Sequence, residues 1–326
     1  MSTLKFDVSI TNASKGFALM LILWHHLFYE MPQYGFIVHQ SALLAKVCVA
    51  IYVVLSGYGL AESVKNKPLQ LWSFYKRRVV KLYSTYWFIA LIFVPIGVFF
   101  MGRTLQSVFG EYALAKFGVQ MLGLHMFSDV GYGYNATWWF MSLIVALYLI
   151  FPLLNLSLKH FPITVLVLSA CILFTDLPVL NDWIFPFAVG IYLSQTNGFS
   201  YIFDKLQTLG FWRFVVLVLA LIGVAYYRQN GYIFDGIKID ALFAVVVVLL
   251  TTEAVVSSAW IRRALEFIGV HSFNIFLFHT FIYYYYWGEA IYYFKNPVLI
   301  FAVLLGICLV VSIALEAVKK RLPFFG

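Results

Sequence analysis

The sequence predicts an all-α, polytopic integral membrane protein with about ten transmembrane helices. Of its 326 residues, 63 % are hydrophobic and only 11 % are charged, whereas a soluble domain carries about 25 % charged residues. The mean hydropathy is +0.89. The apolar runs are long and continuous, as membrane helices require, and a transmembrane barrel would instead show alternating segments of about ten residues.

The apolar runs place the predicted helices along the chain. We expect spans at approximately 16–35, 41–62, 82–101, 138–157, 162–178, 183–196, 212–228, 239–258, 266–287 and 298–318. The stretch 112–127 is marginal, and we interpret it as an interfacial or re-entrant helix because a full span there would invert every later element. Residues 1–326 are expected to form a single membrane domain without a separate soluble domain.

The basic residues predict the orientation of this domain. With the N-terminus in the cytoplasm, 16 of the 22 Lys and Arg residues fall on inner segments and 5 on outer ones, and Lys46 lies in the second span. Cytoplasmic loops carry the excess of Lys and Arg in membrane proteins. We therefore expect a multi-pass plasma-membrane protein with cytoplasmic termini and an outer loop at about 102–137. The net charge of +8 then reflects orientation and contact with anionic membrane lipids, not nucleic acid.

The cysteines do not suggest a disulfide framework or a metal site. Cys48, Cys171 and Cys308 all fall inside apolar runs. We therefore expect them to behave as small buried hydrophobic residues, and we expect no bound metal.

The first predicted helix aligns ionisable residues on one face. Lys15 and His26 are eleven positions apart, close to three turns, so they lie about 16 Å apart on a shared face. His25 lies roughly 100° from that face. Glu30 follows His26 by four positions and is expected to lie over it. Such residues usually face a protein interior or a watery cavity, although histidines at a helix end also suit the membrane interface.

A basic cluster precedes the third span. Four cations fall within residues 76–81, namely Lys76, Arg77, Arg78 and Lys81. Positive charge at this place orients a membrane protein. It also favours a phosphate site, because guanidinium groups bind phosphate bidentately and a helix start adds N–H donors. The residues alone leave both interpretations open.

Two later spans carry further candidate residues. Trp138 and Trp139 open the fourth span, where tryptophan is typical of the aromatic belt. Ser272 and His279 are seven positions apart in the ninth span and share a face. A histidine in mid-span needs a polar partner, either a structural hydrogen bond to another helix or a functional group.

Taken in order, these stretches resemble the membrane acyltransferase 3 family, which O-acylates cell-envelope sugars. Lys15-x10-His26 matches the family's basic residue, ten positions and histidine, with lysine where arginine is more common. Val53–Tyr58 resembles its second-helix signature Phe-Val-Leu-Ser-Gly-Tyr. Residues 77–84 resemble its Arg-Arg-x-x-Arg-x-Tyr-Pro motif, with Lys81 and Ser84 replacing its last arginine and its proline.

The resemblance continues to the ninth span and includes one departure. Residues 139–152 have the length of the family's fourth-helix motif, and the stretch ending at His279 resembles its Gly-x-x-Ser-Tyr-x-x-Tyr-Leu-x-His pattern. The glutamate that many members carry in the fourth helix falls on Ile144 here. Glu30, Glu253 or an acid of the outer loop is a candidate to replace it.

The resemblance implies O-acetylation of an envelope, capsular or exopolysaccharide glycan. The donor is implied to be cytoplasmic acyl-CoA, most often acetyl-CoA, and the acceptor a sugar hydroxyl of a lipid-linked or polymeric glycan. The implied donor-binding residues are Arg77, Arg78, Lys81 and Lys15. The catalytic candidates are His26, His279 and His25, with general-base catalysis and an acyl-histidine intermediate both open. The substrate-binding candidates are Glu30, Trp138, Trp139 and Ser272.

Two other function classes fit some of the same residues. A non-enzymatic glycan transporter or flippase would also use buried charges and aromatic side chains. A glycan polymerase would need large outer loops rich in arginine, and the predicted outer segments contain two, Arg103 and Arg228.

Overall fold

The computed structural model describes residues 5–177, 179–231 and 235–322, and all regular structure in these ranges is helical. The α-helices are α1 Val8–Phe28, α2 Phe36–Ala45, α3 Cys48–Val64, α4 Leu71–Phe100, α5 Leu105–Phe109, α6 Ala113–Met121, α7 Trp139–His160, α8 Pro162–Ile172, α9 Ile184–Gln195, α10 Gly198–Gln207, α11 Trp212–Asn230, α12 Asp240–Ser257, α13 Ala259–Thr280, α14 Gly288–Tyr292 and α15 Pro297–Lys319. A π-helical segment, Phe281–Tyr286, follows α13. The predicted all-α class is confirmed.

Seven helices in the described residues are long and apolar enough to cross a membrane. They are Phe36–Val64, Leu71–Phe100, Ala136–His160, Trp212–Asn230, Gly236–Ser257, Ala259–Tyr286 and Pro297–Lys319. They correspond to the predicted spans two to four and seven to ten. The fifth and sixth predicted spans are the shorter apolar helices α8 and α9, and α1 is not among the seven. The polytopic class is confirmed, and the count of ten stays a prediction.

The first helix ends earlier than the sequence predicted. α1 stops at Phe28, and a 3₁₀ turn at Pro32–Tyr34 follows. Proline disfavours the helical conformation in the residue before it, which accounts for an end ahead of Pro32. Glu30 therefore lies outside the helix and is exposed. The predicted position of Glu30 over His26 on one helix is wrong.

The stretch 112–127 does not form a long helix. α6 has nine residues, which is about 14 Å of helix and too short for a bilayer. Gln120 is fully buried. Its side chain donates to the carbonyl of Tyr132 at 3.1 Å and accepts from the N–H of Tyr134 at 2.8 Å. These bonds fold the loop around Gln120, in agreement with the interpretation of a segment that does not span.

The described residues group into two compact units, each formed by two separated stretches of chain. Unit 1 comprises the described parts of 1–69 and 150–270, and unit 2 comprises those of 70–149 and 271–326. The single domain expected for 1–326 stays a prediction. Cys48 and Cys308 are buried as predicted, whereas Cys171 is exposed, so its predicted burial is wrong.

Close helix contacts in unit 1 depend on glycine. A Cβ atom at Gly16 of α1 would collide with the carbonyl of Leu265 on α13, and one at Gly269 would collide with the carbonyl of Asn12. The two helices therefore touch backbone to backbone, as small residues allow in membrane proteins. This contact holds α1, which carries the predicted histidine pair, against α13.

The two glycines of α3, Gly57 and Gly59, have different surroundings. A Cβ at Gly57 of α3 would meet the carbonyl of Phe187 on α9, whereas Gly59 has no other residue within 4 Å of such an atom. In the reverse direction, a Cβ at Gly190 would meet the carbonyl of Val54. The backbones therefore approach closely at Gly57 and Gly190, and not at Gly59.

Candidate functional site

In unit 1, the candidate site is built on α1. Lys15, His25 and His26 all lie within this one uninterrupted helix, and their side chains are half-buried. Because no kink interrupts the helix, Lys15 and His26 keep the spacing of about three turns that the sequence predicted. Partial burial leaves each side chain within reach of a ligand.

His25 is held in place by the neighbouring helix. Its Nδ1 lies 2.7 Å from the carbonyl oxygen of Ala42 on α2. A carbonyl only accepts hydrogen bonds, so this partner assigns the proton of a neutral ring to Nδ1 and leaves Nε2 as the acceptor. The ring also stacks on Tyr29 at a centroid distance of 4.8 Å. Both contacts fix the orientation of His25.

His26 lies beside His25 but points along a different face of α1. The two ring centroids are 5.2 Å apart, and His26 meets Tyr29 edge-on at 6.2 Å. The face of His26 is the one that carries Lys15, about three turns away. The two adjacent histidines therefore have different surroundings: α2 holds one, and the other shares its face with a cation.

The acids considered as replacements for the missing glutamate are engaged or exposed. Ile144, which occupies the family position, is 2 % exposed. Glu253 accepts hydrogen bonds from Gln207 at 2.6 Å and from Arg213 at 3.2 Å. Glu30 is exposed beyond the end of α1. In unit 1, therefore, Glu253 stabilises the packing of its own helix against α10 and α11.

In unit 2, the predicted phosphate site lies on α4. This helix begins at Leu71, so Arg77, Arg78 and Lys81 are in its second and third turns. The N–H donors of the helix start are therefore not beside these cations, and that part of the prediction is wrong. Arg77 and Lys81 are exposed, while Arg78 is half-buried with its guanidinium 5.6 Å from the ring centroid of Phe74.

The structure adds a cation that the sequence motifs did not identify. The Nζ of Lys319, at the end of α15, donates a 2.6 Å hydrogen bond to the hydroxyl of Thr85 on α4. Lys319 is also within electrostatic reach of Lys81. Lys319 and Thr85 lie far apart in the sequence, and the family motifs end near Thr280. The sequence therefore did not indicate that these two residues meet.

His279 has a closed environment in unit 2. Its side chain is fully buried, and its Nδ1 lies 3.0 Å from the carbonyls of Ile275 and Phe276 on its own helix. Its ring stacks on Tyr283 at 6.0 Å. The hydrogen bonds of Nδ1 are thus made within α13, whereas the sequence suggested a bond to another helix.

The other candidates of unit 2 are also largely buried. Trp138 is 0 % exposed, and its indole N–H donates to the carbonyl of Leu277 at 2.8 Å. It therefore presents no open ring face for sugar stacking, unlike Trp139, which is half-buried. Ser272 is buried on α13. Trp138 shares its acceptor, the carbonyl of Leu277, with a buried hydrogen-bond network.

That network centres on Asn135, which the sequence analysis did not single out. Its Oδ1 accepts hydrogen bonds from the hydroxyls of Thr137 at 2.8 Å and Thr280 at 2.9 Å. Its Nδ2 donates to the carbonyl of Leu277 at 3.3 Å. The π-helical segment 281–286 begins directly after Thr280, a type of irregularity that is frequent at functional sites.

The comparisons with known proteins concern nearly the whole chain. A family model described as an acyltransferase domain matches residues 11–317. The match includes Lys15, His25 and His26 as well as the cations of α4. No curated protein and no solved structure gives a match.

Proposed function

The chain belongs to the membrane acyltransferase 3 family, and we propose that it transfers an acetyl group from cytoplasmic acetyl-CoA to a sugar hydroxyl of an envelope, capsular or exopolysaccharide glycan. The observation that carries this proposal is the uninterrupted α1, which keeps Lys15 and His26 on one face. An acyltransferase needs a fixed donor site and a base, and a glycan transporter needs neither.

The donor site of the proposal uses the cations of α4. CoA carries a pyrophosphate and a 3′-phosphate, and guanidinium groups bind phosphate oxygens in pairs. Arg77 and Lys81 are exposed, and Arg78 is half-buried over an aromatic ring. Lys319 adds a fourth charge near Lys81. Lys15 is the further cation that the family motif implies.

His26 acts as the general base in this proposal. It removes the proton of the sugar hydroxyl while the hydroxyl oxygen attacks the thioester carbonyl. The new C–O bond forms, the C–S bond breaks, and the CoA thiolate receives the proton from the imidazolium. In the alternative route, a ring nitrogen of His26 attacks the thioester carbonyl, the C–S bond breaks, and CoA leaves as a thiol with the proton of the ring. The sugar hydroxyl then attacks the acyl-imidazole, so that the C–O bond forms, the C–N bond breaks and the ring takes up the hydroxyl proton.

His25 and His279 have supporting roles in this mechanism. The Ala42 carbonyl fixes His25, so this ring holds its neighbour and Tyr29 in place. His279 is fully buried and bonded to its own helix, which suits a residue that maintains the packing of unit 2.

The proposed function is tested by the glycan product and by donor consumption. We expect purified protein to hydrolyse or exchange acetyl-CoA, and envelope glycan from cells containing the protein to carry O-acetyl groups that NMR detects. Cells with the His26→Ala variant should lack these groups. Glycan that is unchanged between the two strains, together with an absence of acetyl-CoA turnover, would support a transporter instead.

The proposed orientation places both termini in the cytoplasm and residues 102–137 outside. Cysteine labelling tests it in a variant in which Cys48, Cys171 and Cys308 are replaced by serine. Cysteines at the exposed positions Ser107 and Arg321 should then react with an impermeant thiol reagent from opposite faces of the membrane. Labelling of both from the same face would contradict the proposed topology.

A further inference from the structure

Unit 1 contains a cavity of about 720 Å³ that the proposed chemistry does not use. Its walls are formed by α1, by α2 together with Val47 just before α3, and by α11, α12 and α13. Ligand cavities in proteins usually measure about 300–1,000 Å³. The lining residues of α1 are Phe17, Met20 and Leu21, which face nearly opposite to Lys15 and His26 by helical phase. The cavity is therefore distinct from the face assigned to catalysis.

The walls of the cavity suit hydrocarbon. Two hydroxyl side chains line it, Ser41 and Thr251. Ser41 accepts a hydrogen bond from the indole of Trp24 at 2.9 Å and donates one to the carbonyl of Val38. Thr251 donates to the carbonyl of Val247 at 2.8 Å. The hydroxyl protons are thus used within the protein, and a polar group buried here would lose hydrogen bonds to water without replacing them.

The cavity is elongated along the helices and reaches the surface. Phe243 and Ala254 of α12 both line it, and their separation in sequence corresponds to about 16 Å along the helix axis. Trp260, another lining residue, is 77 % exposed. A length of this kind accommodates part of an alkyl or isoprenoid chain whose remainder continues into the bilayer.

Ionisable residues collect at one end of this apolar cavity. Each of these residues either neighbours a residue of the cavity wall in the sequence or lies one to two turns from one on the same helix face. The pairs are Lys46 with Ala45 and Val47, His25 with Leu21, Asp240 with Phe243, and Arg228 with Leu221. An apolar cavity with a charged end has the form of a site for an amphiphile.

The charges at this end suit a phosphate. Arg228 and Asp240 form a 3.0 Å ion pair, and the exposed Lys46 adds a positive charge at this end. The exposed Glu30 lies within electrostatic reach of His25. Lys46 is within electrostatic reach of both His25 and Asp240. Asp240 is 1 % exposed, and its Oδ2 has no hydrogen-bond partner in the part of the chain that the structure describes. Asp240 does not line the cavity, so it contributes a buried charge beside this end and not a contact for the ligand.

We propose that this cavity binds the hydrocarbon chain of a lipid-linked glycan acceptor, with its phosphate at Lys46. The proposal rests on the proposed function and specifies the form of its acceptor. It places the glycan at the level of the histidine pair, since His25 belongs to the same charged end.

Equilibrium binding of a polyprenyl phosphate to the purified full-length protein tests the proposal. The probes are the phosphate, the corresponding polyprenol, and phosphatidylglycerol. Ala254→Phe places a ring inside the cavity and should weaken binding of the phosphate about tenfold or more. Ala302→Phe, on an exposed position of α15, is the matched control and should bind as the wild type does.

A second pair of variants tests whether the phosphate lies at the charged end and the hydrocarbon chain of the lipid extends away from it. Lys46→Gln should weaken binding of the polyprenyl phosphate by about tenfold, as expected for loss of a charged hydrogen-bond donor. It should leave binding of the uncharged polyprenol unchanged. Arg263→Gln removes an exposed cation at the opposite end of the cavity and should have no effect on either probe. Because Lys46 is exposed, its substitution does not depend on repacking of a core.

Three outcomes would overturn the proposal. They are unchanged binding in a folded Ala254→Phe protein, equal loss of binding with Arg263→Gln and Lys46→Gln, and competition by phosphatidylglycerol that equals that of the polyprenyl phosphate. The last outcome would assign the cavity to a bilayer lipid. Binding is measured without acetyl-CoA, so failure of acetyl transfer alone would contradict the proposed function and leave the lipid site supported.

Discussion

The histidine pair of unit 1 and the single histidine of unit 2 have similar sequence settings and different environments. His25 and His26 are half-buried near the end of α1. His279 is fully buried, and its Nδ1 contacts carbonyls of its own helix. All three lie in family motifs within apolar runs. The difference shows that a motif identifies a histidine, while its exposure and its hydrogen bonds decide what that histidine can do.

The same difference separates the two members of the pair. His25 donates to the carbonyl of Ala42 and stacks on Tyr29. His26 shares its helix face with Lys15. A side chain with a fixed backbone partner is suited to positioning, and a side chain on the face of a cation is suited to chemistry at a donor. Variants at each histidine therefore have distinct expected effects on stability, binding and rate.

The largest expected effect on stability is at His279. His279→Ala removes a fully buried ring and should lower the free energy of unfolding by about 2–5 kcal/mol, as large-to-small core substitutions do. Thermal unfolding in detergent measures this loss. The transfer rate per folded molecule should stay close to that of the wild type. A stable but inactive His279→Ala protein would instead indicate that His279 is catalytic, and the contrast with His25 and His26 would no longer hold.

A matched histidine supplies the control for this prediction. His160 is exposed at the end of α7. His160→Ala should change stability by about 0.5 kcal/mol or less, the usual range for a surface substitution. Equal losses at the two positions would show that burial of His279 is not the cause.

The next largest effect is expected for donor binding at Arg78. Arg78→Ala should weaken acetyl-CoA binding by about 1.5–3 kcal/mol, the range for hydrogen bonds to charged groups. Isothermal titration measures the affinity, and Lys159→Ala, which removes an exposed cation of α7, should leave it unchanged. If Arg78→Ala bound acetyl-CoA as tightly as the wild type, the cations of α4 would serve only to orient the protein in the membrane.

A smaller, pH-dependent effect is expected at His125 in the loop before α7. This ring is fully buried, and its Nδ1 lies 3.2 Å from the hydroxyl of Ser142. Desolvation by burial lowers the pKa of His125 from 6.5 to about 4. Between these values the unfolded chain binds more protons than the folded one, so stability falls as the pH drops through this window.

Thermal unfolding measured from pH 7 to pH 4 tests this effect. The wild type should lose more stability than His125→Gln across the window, because glutamine does not titrate. Equal loss of stability with falling pH in the two proteins would show that protonation of His125 does not destabilise the folded state.

The sequence predicted the helical class and the placement of Lys15 and His26 in one helix because both depend on local pattern. Apolar runs and the spacing of Lys15 and His26 act within a single helix. The end of α1 was predicted wrongly although Pro32 marks it, since continuous hydropathy was given more weight than the helix breaker. The start of α4 was misplaced because the cations of its second and third turns interrupt the apolar pattern.

The remaining features depend on contacts between distant segments. Lys319 reaches Thr85 across most of the chain length, and Gly16 meets α13 near Gly269. The burial of Trp138 follows from the helices around it. A single sequence contains the residues that make such contacts, but the pairing between helices is set by packing, which periodicity does not specify.

The central claim is that His26, and not His25, carries the transfer, and single-turnover acetyl transfer by the two alanine variants tests it most directly. Loss of a general base lowers the rate by about 10²–10⁴-fold. His26→Ala should show this loss while acetyl-CoA binding remains intact, and His25→Ala should retain measurable transfer with a loss that follows its stability. An inactive His25→Ala protein beside an active His26→Ala protein would contradict the account.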